Sequence, residues 1–211
     1  MPHLVLLGDS IFDNGAYIRP GEPDVVVQAR EALPPGWTAT LLAVDGSVVA
    51  DVPRQLAAVP ADATHLVLSV GGNDALREVA VLDSPVRSVG EALDRLTATT
   101  ARFEAGYAAL LREMVRTGLP VTVCTVYNGH FPDPTLQRRV QAALALFNDA
   151  ILRTAFAARL RAIELRQVCT EPEDYANPIE PSARGGEKMA RVIARAVTDA
   201  DVPDHGSAVY L

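Results

Sequence analysis

Short apolar runs rich in β-branched residues alternate along the chain with longer stretches in which apolar residues recur every three or four positions. The first pattern is typical of buried strands and the second of amphipathic helices. The short runs predict strands at 3–7, 38–44, 65–70, 121–126 and 162–165, and the longer patterns predict helices at 24–33, 52–58, 88–117, 135–160 and 182–197. This alternation indicates a parallel sheet that is covered by helices on both faces.

The length of 211 residues predicts one domain over the whole chain, with a loose C-terminal tail from about residue 199 onward. A net charge of -7, with both signs spread along the sequence, argues against nucleic acid as a partner, because nucleic acid requires a clustered basic face. No apolar run is long enough to span a bilayer, and no basic leader precedes the first strand. We therefore expect a cytoplasmic protein without a membrane span; the sequence does not indicate an oligomeric state.

Ligands bind to open parallel sheets at the carboxyl ends of the strands. The first strand is followed directly by Ser10, and residues 11–14 after it look like the start of a helix, whose N-terminal field would favour an alkoxide. A serine at this place could equally be a helix cap. Gly46 and Asn73 follow the second and third strands, and each could donate a hydrogen bond to an oxyanion or simply form a turn.

Four blocks together resemble the SGNH hydrolase superfamily, also called GDSL esterases and lipases: Gly8-Asp9-Ser10, Gly46, Gly71-Gly72-Asn73-Asp74, and residues 181–186 before the last helix. The resemblance covers nearly the whole chain. It implies a flavodoxin-like, three-layer α/β/α fold around a five-stranded parallel sheet in the order 2-1-3-4-5. It also implies that Ser10 is the nucleophile, and that the Ser10 backbone, Gly46 and Asn73 form the oxyanion hole.

The block before the last helix departs from that family. SGNH hydrolases have Asp-x-x-His there, with the histidine as general base and the aspartate orienting it. Aligned on Pro181-Ser182, this chain has Asn177 and Glu180 at the two positions. Both members of the pair are replaced, so the sequence indicates either a different base or a site that has lost hydrolysis.

Two residues are candidates for the base. Glu180 lies between two apolar residues, and burial of a carboxyl group can offset the roughly 3 kcal/mol of proton affinity that separates glutamate from histidine. A salt bridge or a helix-capping role would also explain it. His130 is the second candidate, because it follows the fourth strand at the required edge, whereas His3 and His65 begin strands and His205 lies in the tail.

Three further residues are candidates for substrate binding: Asp9, Tyr127 and Arg184. Tyr127 could instead be a packing residue, and Arg184 could hold an anionic group or neutralise Glu180. We expect no metal and no cofactor, because neither metal-ligand spacing nor a phosphate-binding motif occurs. A flavodoxin-type phosphate binder is disfavoured for the same reason.

We therefore expect a serine esterase or acyl-ester hydrolase that acts on a small-molecule ester or acylated substrate through an acyl-enzyme. The alternatives are a non-hydrolytic SGNH-like ligand-binding protein, or an acyltransferase whose acceptor replaces water.

Overall fold

The computed structural model describes residues 1–200 and 207–211. Within them, six strands form one parallel sheet in the order β2-β1-β3-β4-β5-β6. The strands are β1 (His3–Gly8), β2 (Thr38–Leu41), β3 (His65–Ser69), β4 (Val121–Cys124), β5 (Arg161–Ile163) and β6 (Val209–Tyr210). The helices are α1 (Val25–Ala32), α2 (Val52–Leu56), α3 (Gly72–Arg77), α4 (Val89–Val115), α5 (Pro134–Ala157), α6 (Leu165–Val168) and α7 (Ala183–Thr198), with 3₁₀ turns at Val49–Asp51, Val79–Asp83 and Pro172–Asp174.

Side-chain alternation along β1 divides the core into two halves. Leu4 and Leu6 are fully buried in a cluster with residues of α1 and α7. Val5 and Leu7 are fully buried on the opposite face, in a cluster with residues of α2, α4 and α5. The predicted three-layer α/β/α fold and the order of its first five strands are therefore confirmed.

The C-terminal end of the chain differs from the prediction. Residues 209–210 were expected in a loose tail, but they form β6, which pairs with β5 and makes the sheet six-stranded rather than five-stranded. The Tyr210 side chain is buried, and its hydroxyl donates to Asp199 Oδ2 at 2.9 Å. A two-residue strand is too short to produce a periodic pattern. The rest of the predicted tail, at 201–206 and including His205, lies outside the described residues.

The segment after Ser10 also differs, because the expected helix at 11–14 is a turn. The backbone N–H groups of Phe12 and Asp13 both donate to the Asp9 carbonyl at 3.1 Å. Asn14 is fully buried; its Oδ1 accepts from Val25 N at 3.0 Å, and its Nδ2 donates to the Pro181 carbonyl at 3.3 Å. These tertiary bonds tie the segment to α1 and to the residues before α7, so no helix N-terminus follows the serine.

Candidate active site

Ser10 follows β1 where the parallel strands of the sheet end. The last residue of β1, Gly8, approaches β3 unusually closely. Gly8 has φ +131°, and a Cβ atom there would lie 1.8 Å from the Ser69 carbonyl oxygen, so only glycine fits. Gln55 bonds both backbone groups of Gly8: its Oε1 accepts from Gly8 N at 2.7 Å, and its Nε2 donates to Gly8 O at 2.8 Å. The backbone that leads into Ser10 is therefore fixed from two sides.

The hydroxyl of Ser10 contacts the carboxyl group of Glu180. Ser10 Oγ donates to Glu180 Oε1 at 3.1 Å, and the two residues are 6% and 5% exposed. The second oxygen, Oε2, is buried and has no hydrogen-bond partner in the described part of the chain. Acyl transfer by serine requires a base within hydrogen-bond reach of the hydroxyl, and the Glu180 carboxyl group meets this geometric requirement.

Burial is the main influence on Glu180, and it raises the pKa of this carboxyl group to about 7. The hydrogen bond from Ser10 lowers the pKa, and the negative charge of Asp45 raises it further. Unperturbed histidine has a pKa of about 6.5, so Glu180 holds a proton about as well as the imidazole that it replaces. A carboxyl group with this pKa can exchange a proton with serine near neutral pH.

The segment that carries Glu180 is held by two side chains. Asn177 Oδ1 accepts from the backbone N–H groups of Ile179 and Glu180, both at 2.9 Å. Tyr127, which is buried, donates from its hydroxyl to the Ile179 carbonyl at 2.7 Å. The residue at the family's aspartate position therefore orients the backbone of Glu180 instead of an imidazole.

Asp174 anchors the same segment to α7. It is fully buried, and its carboxylate lies 2.6 Å from Lys188 Nζ and 3.6 Å from Arg184 Nε. A Cβ atom on Gly185 would lie 2.2 Å from the Asp174 carbonyl oxygen, which explains the glycine. Arg184 thus faces Asp174 instead of Glu180, and it does not line the cavity beside Ser10.

Two of the predicted oxyanion donors lie beside that cavity. Asn73, in α3, donates from Nδ2 to the Ser47 carbonyl at 3.0 Å, which leaves its second amide hydrogen available. The Ser10 backbone N–H donates to no other protein group among residues 1–200 and 207–211. Gly46 is exposed, with φ +77°, and it does not line the cavity; it precedes the residue that Asn73 contacts.

His130 is exposed and does not line the cavity. Its ring stacks on Tyr175 with centroids 6.2 Å apart, and its backbone N–H donates to the Pro178 carbonyl at 2.8 Å. No hydrogen bond joins His130 to Ser10 in the described structure. The structure brings Glu180, and not His130, to the serine.

Asp9 is only 2% exposed, and its Oδ1 accepts from Ile11 N at 3.2 Å. Burial raises its pKa to about 8; the hydrogen bond from Ile11 opposes this rise, and the negative charge of Glu180 adds to it. Asp9 lines the cavity together with Ser10. Near neutral pH it is therefore largely protonated and uncharged.

A cavity of about 140 Å³ begins at Ser10, Asn73 and Glu180 and continues between α4 and α5. Its walls are mainly apolar, and α5 contributes residues at helical spacing: Leu136, Val140, Ala143, Leu144 and Phe147. That periodicity is visible in the sequence, but the predicted site did not include it. No comparable sequence pattern predicts the contact of Gln55 with Gly8.

Among the described residues, no group of three or more His, Cys, Asp or Glu side chains has the arrangement of a metal site. No helix in this part of the chain is long and apolar enough to cross a membrane.

Comparison with solved structures shows the same fold in bacterial and metagenomic esterases and lipases. An extracellular lipase from Streptomyces rimosus is 16% identical, with a TM-score of 0.69 over 93% of this chain and 100% of that one. A lipase from a goat rumen metagenome is 19% identical, with a TM-score of 0.70 over 93% and 97%. An acetylxylan esterase from Geobacillus stearothermophilus is 17% identical, with a TM-score of 0.62 over 93% and 94%.

No curated protein sequence is significantly similar to this chain. The model of the GDSL-like lipase/acylhydrolase family, in contrast, matches residues 6–188, from β1 into α7. Since this match takes in Ser10, Asn73 and Glu180, and the fold agrees with the predicted SGNH architecture, the chain belongs to the GDSL-like lipase/acylhydrolase family.

Proposed function

We propose that this protein hydrolyses carboxylic esters with Ser10 as nucleophile and Glu180 as general base. The observation that carries the proposal is the 3.1 Å hydrogen bond from Ser10 Oγ to Glu180 Oε1, two residues that line a mainly apolar cavity. The pKa of about 7 at Glu180 supports it, because a base must be ionised in the resting enzyme and must still hold a proton during the reaction.

In acylation, Ser10 Oγ bonds to the ester carbonyl carbon while its proton passes to Glu180. The tetrahedral intermediate then collapses: the bond from carbon to the alcohol oxygen breaks, and Glu180 returns the proton to that oxygen. In deacylation, water attacks the acyl-enzyme and gives a proton to Glu180. The bond to Ser10 breaks, the acid leaves, and Ser10 Oγ recovers the proton.

The oxyanion of both intermediates would be stabilised by the Ser10 backbone N–H and the free amide hydrogen of Asn73. Gly46 is the third proposed donor, and its exposed loop would have to move toward the oxyanion when substrate binds. Loss of one such donor lowers kcat roughly 10²- to 10³-fold in acyl-transfer enzymes. Because Asn73 lines the cavity and Gly46 does not, we assign Asn73 a larger contribution to stabilising the oxyanion.

The test compares the parent protein with Ser10→Ala, using p-nitrophenyl acetate turnover and labelling by a fluorophosphonate. The parent should hydrolyse the ester and be labelled by one phosphonate, on the peptide that contains Ser10. Ser10→Ala should show neither turnover nor labelling. Ser207→Ala, which removes an exposed hydroxyl, is the matched control and should behave like the parent. Full turnover by Ser10→Ala would refute the nucleophile assignment.

The same experiment separates the alternatives. Labelling of Ser10 with slow hydrolysis, and faster release of nitrophenol when an alcohol acceptor is added, would indicate an acyltransferase. Absence of both labelling and turnover in a folded parent protein would favour a non-hydrolytic ligand-binding protein.

A further inference from the structure

The cavity next to Ser10 extends well beyond the groups that carry out the reaction. Besides Ser10, it is lined by residues of α3, of the 3₁₀ turn at 79–83, and of α4 and α5. The residues that these elements contribute are mostly aliphatic or aromatic, and they include Val79, Leu82, Leu96, Val140, Leu144 and Phe147. An apolar wall of this kind favours a hydrocarbon ligand.

The charges around the cavity support the same class of ligand. Among the described residues, no Lys, Arg or His side chain lines it, and the acidic residues that do are Asp9, Glu78 and Glu180. An anionic tail would find no cationic partner there, and a polar tail would lose hydrogen bonds to water without replacing them. The walls therefore select an uncharged chain.

The direction of proton transfer decides which half of an ester enters the cavity. Glu180 must reach the alcohol oxygen in order to protonate it, so the alcohol remains at the Glu180 side of Ser10. The acyl chain then extends past Asn73 and α3, toward α4 and α5. The alcohol thus stays beside Glu180, and the acyl chain contacts the apolar walls.

We propose that this cavity binds an uncharged acyl chain of about six carbons. This inference rests on the proposed function. The length follows from volume: the cavity measures about 140 Å³, and an apolar cavity of about 150 Å³ accommodates a ligand as large as benzene, which has six carbons.

The experiment measures kcat/KM for two series of esters. In the first, p-nitrophenyl esters vary from acetate to laurate; in the second, acetates vary from ethyl to hexyl. Each added methylene should raise kcat/KM about fourfold in the acyl series, corresponding to about 0.8 kcal/mol of burial, up to hexanoate, after which the increase should stop. The alcohol series should be nearly flat. Acetate as the best acyl substrate, or a gradient confined to the alcohol series, would overturn the proposal.

Substitutions on α5 test the location of the chain. Ala143→Leu places three more carbons in the cavity and should lower the ratio of hexanoate to acetate turnover by about tenfold or more. Ala142→Leu makes the same change at the neighbouring exposed position, and it should leave the ratio at the parent value. Val140→Ala enlarges the cavity and should move the optimum to longer chains. If Ala143→Leu and Val140→Ala both keep the parent preference, the cavity does not hold the acyl chain.

Failure of this proposal can be distinguished from failure of the proposed function. A flat acyl series in an enzyme that is labelled at Ser10 removes the chain-length inference only. If no ester is turned over, binding of 1-hexanol followed by NMR tests the cavity alone. Binding that weakens in Ala143→Leu but not in Ala142→Leu supports an alkyl site, and equal binding by both variants refutes it.

Discussion

Ser10 and Glu180 are 170 residues apart in the sequence, yet Ser10 Oγ is 3.1 Å from Glu180 Oε1. The sheet brings them together, because β1 lies in its interior and delivers Ser10 to the edge where strands end. The packing of α7 against α1 brings the residues that precede α7 to the same edge. This direct hydrogen bond leaves no space for another residue between Ser10 and Glu180.

Glu180→Gln should lower kcat for ester hydrolysis roughly 10²- to 10⁴-fold, which is the usual contribution of a general base. Glutamine keeps the size of glutamate and can still accept the Ser10 hydrogen bond, but it cannot take up the proton. Steady-state turnover of p-nitrophenyl acetate and the rate of fluorophosphonate labelling measure the loss.

Two controls accompany this substitution. Glu173→Gln changes an exposed carboxylate in the same segment and should have less than about a twofold effect. His130→Ala removes the second candidate base, and it should retain most of the activity because His130 has no bond to Ser10. A loss in His130→Ala as large as that in Glu180→Gln would identify the histidine as the base instead.

The pH dependence of kcat/KM should follow the ionisation of Glu180. Its pKa is about 7, and the carboxylate form is the base, so activity should be low in acid, half-maximal near pH 7 and maximal above it. The measurement is kcat/KM from pH 5 to 9. A profile that is already flat from pH 5 upward, as the usual glutamate pKa of about 4.3 would give, would contradict the raised pKa of Glu180.

Much of the fold was predictable from β1 and β3 alone. Both are buried on two faces, so they appear in the sequence as uninterrupted apolar runs. Their direction in the sheet determines which residues follow them at the carboxyl ends of the strands, where ligands bind. Strand β6 was not predictable, because Val209 and Tyr210 join the sheet only through pairing with β5. The turn at 11–14 was missed because its conformation depends on the tertiary contacts of Asn14.

The site was predictable to the extent that it depends on strand ends. Ser10, Asn73 and Tyr127 follow three neighbouring strands, and all three line one cavity. The choice between Glu180 and His130 required side-chain geometry, since both lie at the same edge. The bonds from Gln55 to Gly8 are also invisible in the sequence, because a glutamine in a short helix has no distinctive local pattern.

Asn177 should act as a positioning residue for Glu180. Asn177→Ala removes the acceptor of two backbone hydrogen bonds and should reduce kcat about tenfold and stability by about 1 kcal/mol. Asn177→Asp keeps the acceptor, so its stability should remain near that of the parent. The added negative charge should also move the pH–rate midpoint upward, because it disfavours ionisation of Glu180. Unchanged kcat in Asn177→Ala would show that Glu180 does not need this support.

Asp9 should make the folded state less stable as pH rises. Its pKa is 3.8 when unperturbed and about 8 in the folded protein, so between these values the folded state retains a proton that the unfolded state has released. The free energy of unfolding therefore falls across this window, whereas below pH 3.8 both states are protonated. Glu180, whose pKa is also raised, contributes in the same direction up to about pH 7.

Asp9→Asn should remove the contribution of Asp9 and keep the bond to Ile11 N, because the asparagine Oδ1 is still an acceptor. The difference in unfolding free energy between variant and parent should increase in favour of the variant by roughly 1 kcal/mol or more when the pH is raised from 5 to 8. Urea denaturation at the two pH values measures this gain, and Asp94→Asn, at an exposed position of α4, is the matched control without such a gain. An equal difference between variant and parent at both pH values would mean that Asp9 does not retain its proton in the folded protein.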